Sequence, residues 1–507
     1  MFKDEHRRNV WNQIRQHGLR AFDNLLTGQI LREAATRCNL PLGNGPLGVL
    51  NLTWLAIASA LQVGWNFAEV LAVTLKMLQD ADSWSRNPLS HACKPPGGTP
   101  RTKGKSRAKG KKRTKGKKRT KGKKPRSKHD PRPEDPAHLS EEAFCQARKK
   151  MPASYWIALI LLLGEKFRAQ HQSLLSWRGY RLLAMDGTRI NLCNWKPLRE
   201  HFGVASNGKN SRTTQARMLM LTFPLARIPW KYELCPLRRS EKTSAAALLN
   251  GLCPQDLILM DKGFWSYGLF WQIADQQAFF AVRLFKSAKL KTVRRWAKND
   301  SLARYAPSDR KWKNYPASMQ LRVIRYQVRG FRATALVTNL LSRQISRQDW
   351  VGLATADQAG RTLDNGLYHR RWEIETTFSE IKVHQQMEGR LRGRTPQAIE
   401  YEVAGHVLLY LLVRWLIVEA AAKAGVDPLR LSHLAAMHEL EQMTPAFLTA
   451  TSRRASCVLA LRLLERIASH EVPLRPGRHY PRPNDTKVRN KGRGHYRKPS
   501  KLRMAKA

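Results

Sequence analysis

YHRRWEIETTFSEIK, residues 368–382, places Tyr368, Arg371, Glu375 and Lys382 at offsets of 0, 3, 7 and 14. On an α-helix, at about 100° per residue, these four fall within an arc of roughly 60°. One carboxylate thus shares a narrow stripe with two cations and a phenol. Glu373 and Glu380 project from roughly the opposite side. A second stripe of Leu367, Ile374, Phe378 and Ile381 can seat the helix on a core. Asp364 is suited to cap its start, with Asn365-Gly366 turning the chain in. An ordinary exposed ion pair explains Arg371 and Glu375 equally well when they are taken alone. The rest of the chain shifts the balance towards a site that offers an acid for a metal and donors for phosphate.

Of the 507 residues, 90 are Lys or Arg against 38 Asp or Glu, a net charge of +52. A surplus of this size selects a polyanionic partner, either nucleic acid or an anionic membrane surface. The most apolar stretches are 47–61, 157–163 and 407–418. They are shorter than the roughly 18 uninterrupted apolar residues of a spanning helix, so no membrane segment is expected. MFKDEHRRNV lacks the apolar centre of a secretory signal. The seven cysteines are scattered and never spaced CxxC, which argues against a disulfide framework and a zinc ribbon. A cytoplasmic, DNA-associated protein is expected.

The cations are concentrated in two runs. Lys94 to Lys128 holds 18 Lys or Arg and no acid, with RTKGKS, RAKGKK, RTKGKK and RTKGKK repeating every six residues from Arg101. Arg475 to Ala507 holds 12 against the single acid Asp485. Like-charge repulsion and glycine forbid a packed core, so both read as disordered basic arms that attract DNA through counterion release. Elsewhere the pattern is mixed α/β. Residues 1 to about 90 and 140–175 are helical by periodicity. GYRLLAMDGTRINL reads as a strand ending at Asp186 with a turn behind it. Residues 215–235 read as one or two long strands, SEKTSAAALLNGL as a helix and DLILMDKGF as a short buried strand ending at Asp261. QLRVIRYQV and RATALVTNL are further strands, and YEVAGHVLLYLLVRWLIVEAAAKAG is a long apolar helix.

Asp186 and Asp261 each close an apolar run and are soon followed by Gly. In open α/β sheets, ligands gather beyond the carboxyl ends of strands. Two such aspartates on adjacent strands, met by Glu375 from a helix across that edge, bring three carboxylates together. Their mutual repulsion is relieved by divalent metal. Hard oxygen ligands suit Mg²⁺ (or Mn²⁺), and two ions suit phosphoryl transfer. The bland alternative is that both aspartates are turn residues.

With these residues in place, the chain resembles insertion-sequence transposases of the DDE class, in the group with a Y-x2-R-x3-E-x6-K signature. Tyr368, Arg371, Glu375 and Lys382 match that spacing without departure. MDGT (185–188) resembles the first acidic motif of the family and MDKGF (260–264) the second, where Arg often stands in place of Lys262. Trp372 after the signature Arg also fits. The resemblance covers roughly residues 175–425.

The resemblance implies an RNase H-like core of three strands, a helix and a fourth strand, with a β-rich insertion before the Glu helix. The 114 positions between Asp261 and Glu375 leave room for it. It implies nicking at transposon ends, hairpin formation by the freed 3′-OH, hairpin opening, and joining to target DNA. Asp186, Asp261 and Glu375 are then the catalytic and metal-binding acids, with Tyr368, Arg371, Trp372 and Lys382 as DNA contacts. Trp372, Trp296 and Trp350 are candidate platforms for a flipped base. Partners are double-stranded DNA, as terminal inverted repeats and target, and a second copy in a homodimer. The resulting division is 1–92 helical and suited to DNA-end binding; 93–138 basic linker; 139–285 helical lead-in and first part of the core; 286–355 β-rich insertion; 356–470 Glu helix and C-terminal helices; 471–507 basic tail. Two other classes remain open: an RNase H-like nuclease or resolvase, and a catalytically inactive DNA-binding derivative.

Overall fold

The computed structural model describes residues 22, 25–43, 47–61, 141–206, 212–307, 314–327, 333–352, 366–449 and 453–473. The basic repeat, the basic tail and Asp364 lie outside them. Four helices lead in: α1 (Gly28–Arg37), α2 (Val49–Leu61), α3 (Glu141–Lys149) and α4 (Ala153–Gln170). A mixed region follows, with β1 (Ser176–Trp177), β2 (Tyr180–Asn191), α5 (Lys196–Phe202), β3 (Val204–Ser206), β4 (Arg212–Phe223), β5 (Ile228–Pro236), α6 (Glu241–Leu248), β6 (Asp256–Met260), α7 (Tyr267–Asp275) and β7 (Phe279–Arg283). Four more strands come next: β8 (Leu290–Ala297), β9 (Asp300–Tyr305), β10 (Met319–Tyr326) and β11 (Thr334–Thr338). The chain continues with α8 (Arg347–Val351), α9 (Gly366–His369), α10 (Trp372–Ser379), a π-helical turn (Glu380–His384), α11 (Met387–Arg390), α12 (Pro396–Ala424), α13 (His433–Thr449) and α14 (Arg453–Ala468).

Among the described residues the strands form one sheet in the order β3-β4-β2-β6-β7-β11-β10-β9-β8, with β5 on β4 and β1 on β2. The centre, β2-β6-β7, is parallel, whereas β4 and β5 run antiparallel beside β2. Period-two side-chain alternation splits the central strands between two cores. Leu183, Ile258, Met260, Phe280 and Val282 enter the larger one. Leu182, Leu257, Leu259 and Ala281 join Trp350, Leu367 and Tyr368 in the smaller one on the other face. β6, DLILM, is buried at all five positions, as expected of a parallel strand covered on both sides.

One expectation changes here. β2 does not stop at Asp186 but runs to Asn191. The Asp-Gly turn signal yields to antiparallel pairing, Asp186 with Met220 and Gly187 with Leu219. In the β-rich segment from 286 onwards, β11 pairs with β7, so β8–β11 lengthen the central sheet. The described N-terminal helices pack into the main core. Tyr401 donates to the Leu52 carbonyl at 2.7 Å, and Thr53 bonds Tyr155 at 2.7 Å. Gly405 lets α12 touch α2, since a Cβ there would lie 2.4 Å from the Ala56 carbonyl oxygen.

The 29-residue α12 starts at the Thr395 cap, whose hydroxyl accepts from Ala398 N, with Pro396 in its first turn, and ends at left-handed Gly425. By length and composition alone it is apolar enough to cross a membrane. However, 89% of its apolar window is buried inside the fold, so it serves here as the central helix of the larger core.

Candidate active site at the carboxyl edge of the parallel strands

The pairing of β2 with β6 ends at Met185 and Met260. Asp186 and Asp261 are each the next residue, so the aspartates stand side by side at one lip of the sheet. β7 repeats the pattern: Val282 pairs with Met260 and Arg283 follows it. Arg283 donates to Asp261 Oδ1 at 3.0 Å. Sequence reading missed Arg283, although FFAVR carries the same signal, a charge closing an apolar run.

α10 crosses this lip and brings Glu375. Arg371 ties the locus together, its Nη1 3.3 Å from Asp186 Oδ2 and its Nη2 3.0 Å from Glu375 Oε1. Its guanidinium is buried, and Nε has no hydrogen-bond partner. The Glu375 side chain remains 40% exposed, so the front of the locus faces solvent. Burial pushes the Asp186 carboxyl up to about 6. The Gly187 amide and Arg371 oppose that rise, while the charges of Glu375 and Asp261 add to it. Burial also works against the Asp261 carboxylate, but Arg283, with Arg371, holds it below its ordinary range. Among the described residues no three His, Cys, Asp or Glu form a closed metal-ligand cluster. The acids are electrostatic neighbours with Arg371 between two of them.

The backbone departs from the continuous α-helix expected over 368–382. Arg370, Arg371, Glu373 and Ile374 bond three residues back, which tightens the winding. From Glu380 to His384 it widens into a π-turn. Along this change of pitch the four residues take separate partners. Tyr368 is buried, and its hydroxyl donates to the Met260 carbonyl at 2.8 Å. It therefore pins α9 to the end of β6, and its phenol is not exposed. Lys382 reaches the Arg189 carbonyl at 2.7 Å and Glu388 at 2.8 Å, beside β2. Trp372 is 41% exposed, with the Arg371 guanidinium 4.9 Å from its ring centroid. Trp296 lies on β8 between the cations of Arg322 and Arg343. Trp350 is fully buried in the smaller core, so it is no stacking platform. Of the flanking apolar stripe, Ile374, Phe378 and Ile381 enter the larger core and Leu367 the smaller.

The segment that contains all three acids has a recognisable counterpart. Residues 177–412 match the transposase DDE domain. A curated relative, the transposase InsG for insertion sequence element IS4 of Escherichia coli (strain K12), is 27% identical over 252 residues. That alignment takes in 48% of this chain, which spans 54% of the length of the relative. A solved structure, the cryo-EM structure of a piggyBac transposase synaptic complex with hairpin DNA, is a distant likeness. It has 11% identity and a TM-score of 0.32, covering 68% of this chain and 69% of that one.

Proposed function

We propose that this chain is a DNA transposase of the DDE type that cleaves transposon ends and joins them to target DNA. One observation carries the reading. Asp186, Asp261 and Glu375 come from segments far apart in sequence, yet they occupy one lip of the sheet within the matched domain. The order β5-β4-β2-β6-β7, three antiparallel strands followed by two parallel ones, supports an RNase H-like core. On this reading β8–β11 are the insertion.

The donor set, three carboxylates, has the hard-oxygen chemistry that suits Mg²⁺ or Mn²⁺. Burial is the main cause of the raised Asp186 carboxyl, and the charges of Glu375 and Asp261 add to it. Arg371 already shares two of the acids, so a bound cation competes with that guanidinium for them. When bound, such ions supply activation of the attacking oxygen and stabilisation of the leaving one. The remaining work falls to the chain. Arg371 and Lys382 offer charge-assisted hydrogen bonds to phosphates flanking the scissile bond, with Lys382 first releasing Glu388. Trp372, exposed beside the acids, is the candidate to stack an extruded base, with Trp296 on the edge strand β8 as a second, as the hairpin-forming group requires. Double-stranded DNA is the partner, the basic runs add sequence-independent affinity, and two copies pair the two ends.

A supercoiled plasmid carrying the inverted repeats that flank the coding sequence, incubated with the protein and Mg²⁺, tests this. Hairpin or strand-transfer products support a transposase. Nicks alone indicate a nuclease, and a mobility shift without cleavage indicates an inactive DNA-binding derivative.

A further inference from the structure

Behind Glu375, on the face of its helix turned away from the other acids, lies a buried ionic clamp that the proposed chemistry does not use. Arg227 sits in the turn between β4 and β5 and donates Nε to Glu373 Oε2 at 2.8 Å. Its Nη2 lies 2.7 Å from the same oxygen, and its Nη1 reaches Glu380 Oε1 at 3.0 Å. The second oxygen of Glu380 accepts the Tyr410 hydroxyl at 2.6 Å, from α12. Arg414, also on α12, holds the turn from below by donating to the Ala226 carbonyl at 3.1 and 3.2 Å. Glu373 and Glu380 are seven residues apart, two helical turns, and therefore share a face. Glu375 is two residues from Glu373 and points roughly the other way.

Arg227 itself adopts φ +53°, a left-handed conformation that a side chain rarely takes and that glycine would occupy more easily. We propose that Arg227 is a positioning residue: by gripping Glu373 and Glu380 from the β4–β5 turn, it fixes the rotation and height of the helix and so holds Glu375 against Asp186 and Asp261. The clamp also spans the change of winding from α10 to the π-turn, where a helix could otherwise slip. The carboxylates that Arg227 grips are Glu373 and Glu380 rather than the three acids of the site, so it acts on that site through the helix. The inference rests on Glu375 being the third acid.

The test is Arg227→Lys in the full chain, which keeps the charge but not the fork. Turnover at saturating DNA is expected to fall about 10- to 100-fold, the scale of an ångström-level displacement, while KM for DNA stays unchanged. Mn²⁺ binding measured by calorimetry without DNA should weaken as well. Thr53→Ala, which removes the remote bond to Tyr155, controls for a general loss of stability and should change neither. If Arg227→Lys does not fold, Glu373→Gln leaves Arg227 on Glu380 and carries the same expectations. The clamp is overturned if turnover and Mn²⁺ binding of the variant match those of Thr53→Ala while Glu375→Gln is inactive. If Glu375→Gln itself cuts normally, the functional reading fails first and the clamp falls with it.

Discussion

Three glutamates lie within eight residues of one helix, and the fold treats its two faces differently. On the back, buried Glu380 and half-buried Glu373 are engaged by Arg227, with Tyr410 closing the set at 2.6 Å. Burial works against the Glu380 carboxylate, yet Arg414 and Arg227 keep it below its ordinary range. On the front, Glu375 is 40% exposed and shares one guanidinium with Asp186, through single contacts of 3.0 and 3.3 Å. Asp186 is held above its ordinary range. The back is electrostatically satisfied and the front is not. A rigid rear and a frustrated front suit a site whose charges await a cation and phosphates, and this difference can be broken from either side.

The largest effect is expected at the front. Glu375→Gln and Asp186→Ala should each reduce end cleavage to background in a plasmid assay, with DNA affinity by gel shift retained and little change in melting temperature. Removing charge from the back should lower stability as well as turnover. Arg227→Ala leaves the buried Glu380 and the half-buried Glu373 short of a partner and should cost about 3–5 kcal/mol in urea unfolding. Tyr410→Phe deletes the hydrogen bond to the charged Glu380, and a longer one to Thr377, and should cost about 1.5–3 kcal/mol in the same measurement.

The smallest effect concerns pH. The Asp186 carboxyl is raised from 3.8 to about 6, so the folded protein takes up a proton across that window. Its contribution to metal-free stability is greatest below the ordinary value and is lost as pH rises through about 6. Cation binding needs the carboxylate and therefore changes in the opposite sense, weakening as pH falls through about 6. Titrating Mn²⁺ binding against pH checks this. An acid limb unchanged in Asp186→Asn would assign the effect to another group.

Much of this arrangement was legible in the residues. Asp186 and Asp261 announced themselves as acids closing apolar runs, and the ion pair found between Arg371 and Glu375 is the ordinary reading of their i,i+4 spacing. The stripe as a whole was not legible, because helical-wheel geometry assumes one pitch. The chain tightens at Arg370–Ile374 and loosens at Glu380, which turns Tyr368 inward and carries Lys382 to β2. The extent of β2 was hidden because pairing with β4 overrides a local turn signal. Likewise, alternation identifies β8–β11 as strands but does not reveal that β11 joins β7. The back clamp escaped because Arg227 lies in a turn 146 positions from Glu373, and nothing local marks its partner.

The most direct measurement is Mn²⁺ binding to the metal-free chain and to Asp186→Asn, Asp261→Asn and Glu375→Gln, one at a time. Convergence of the three acids requires each substitution to weaken binding. A Glu375→Gln variant that binds as tightly as the unaltered protein would show that the helix does not contribute to the site.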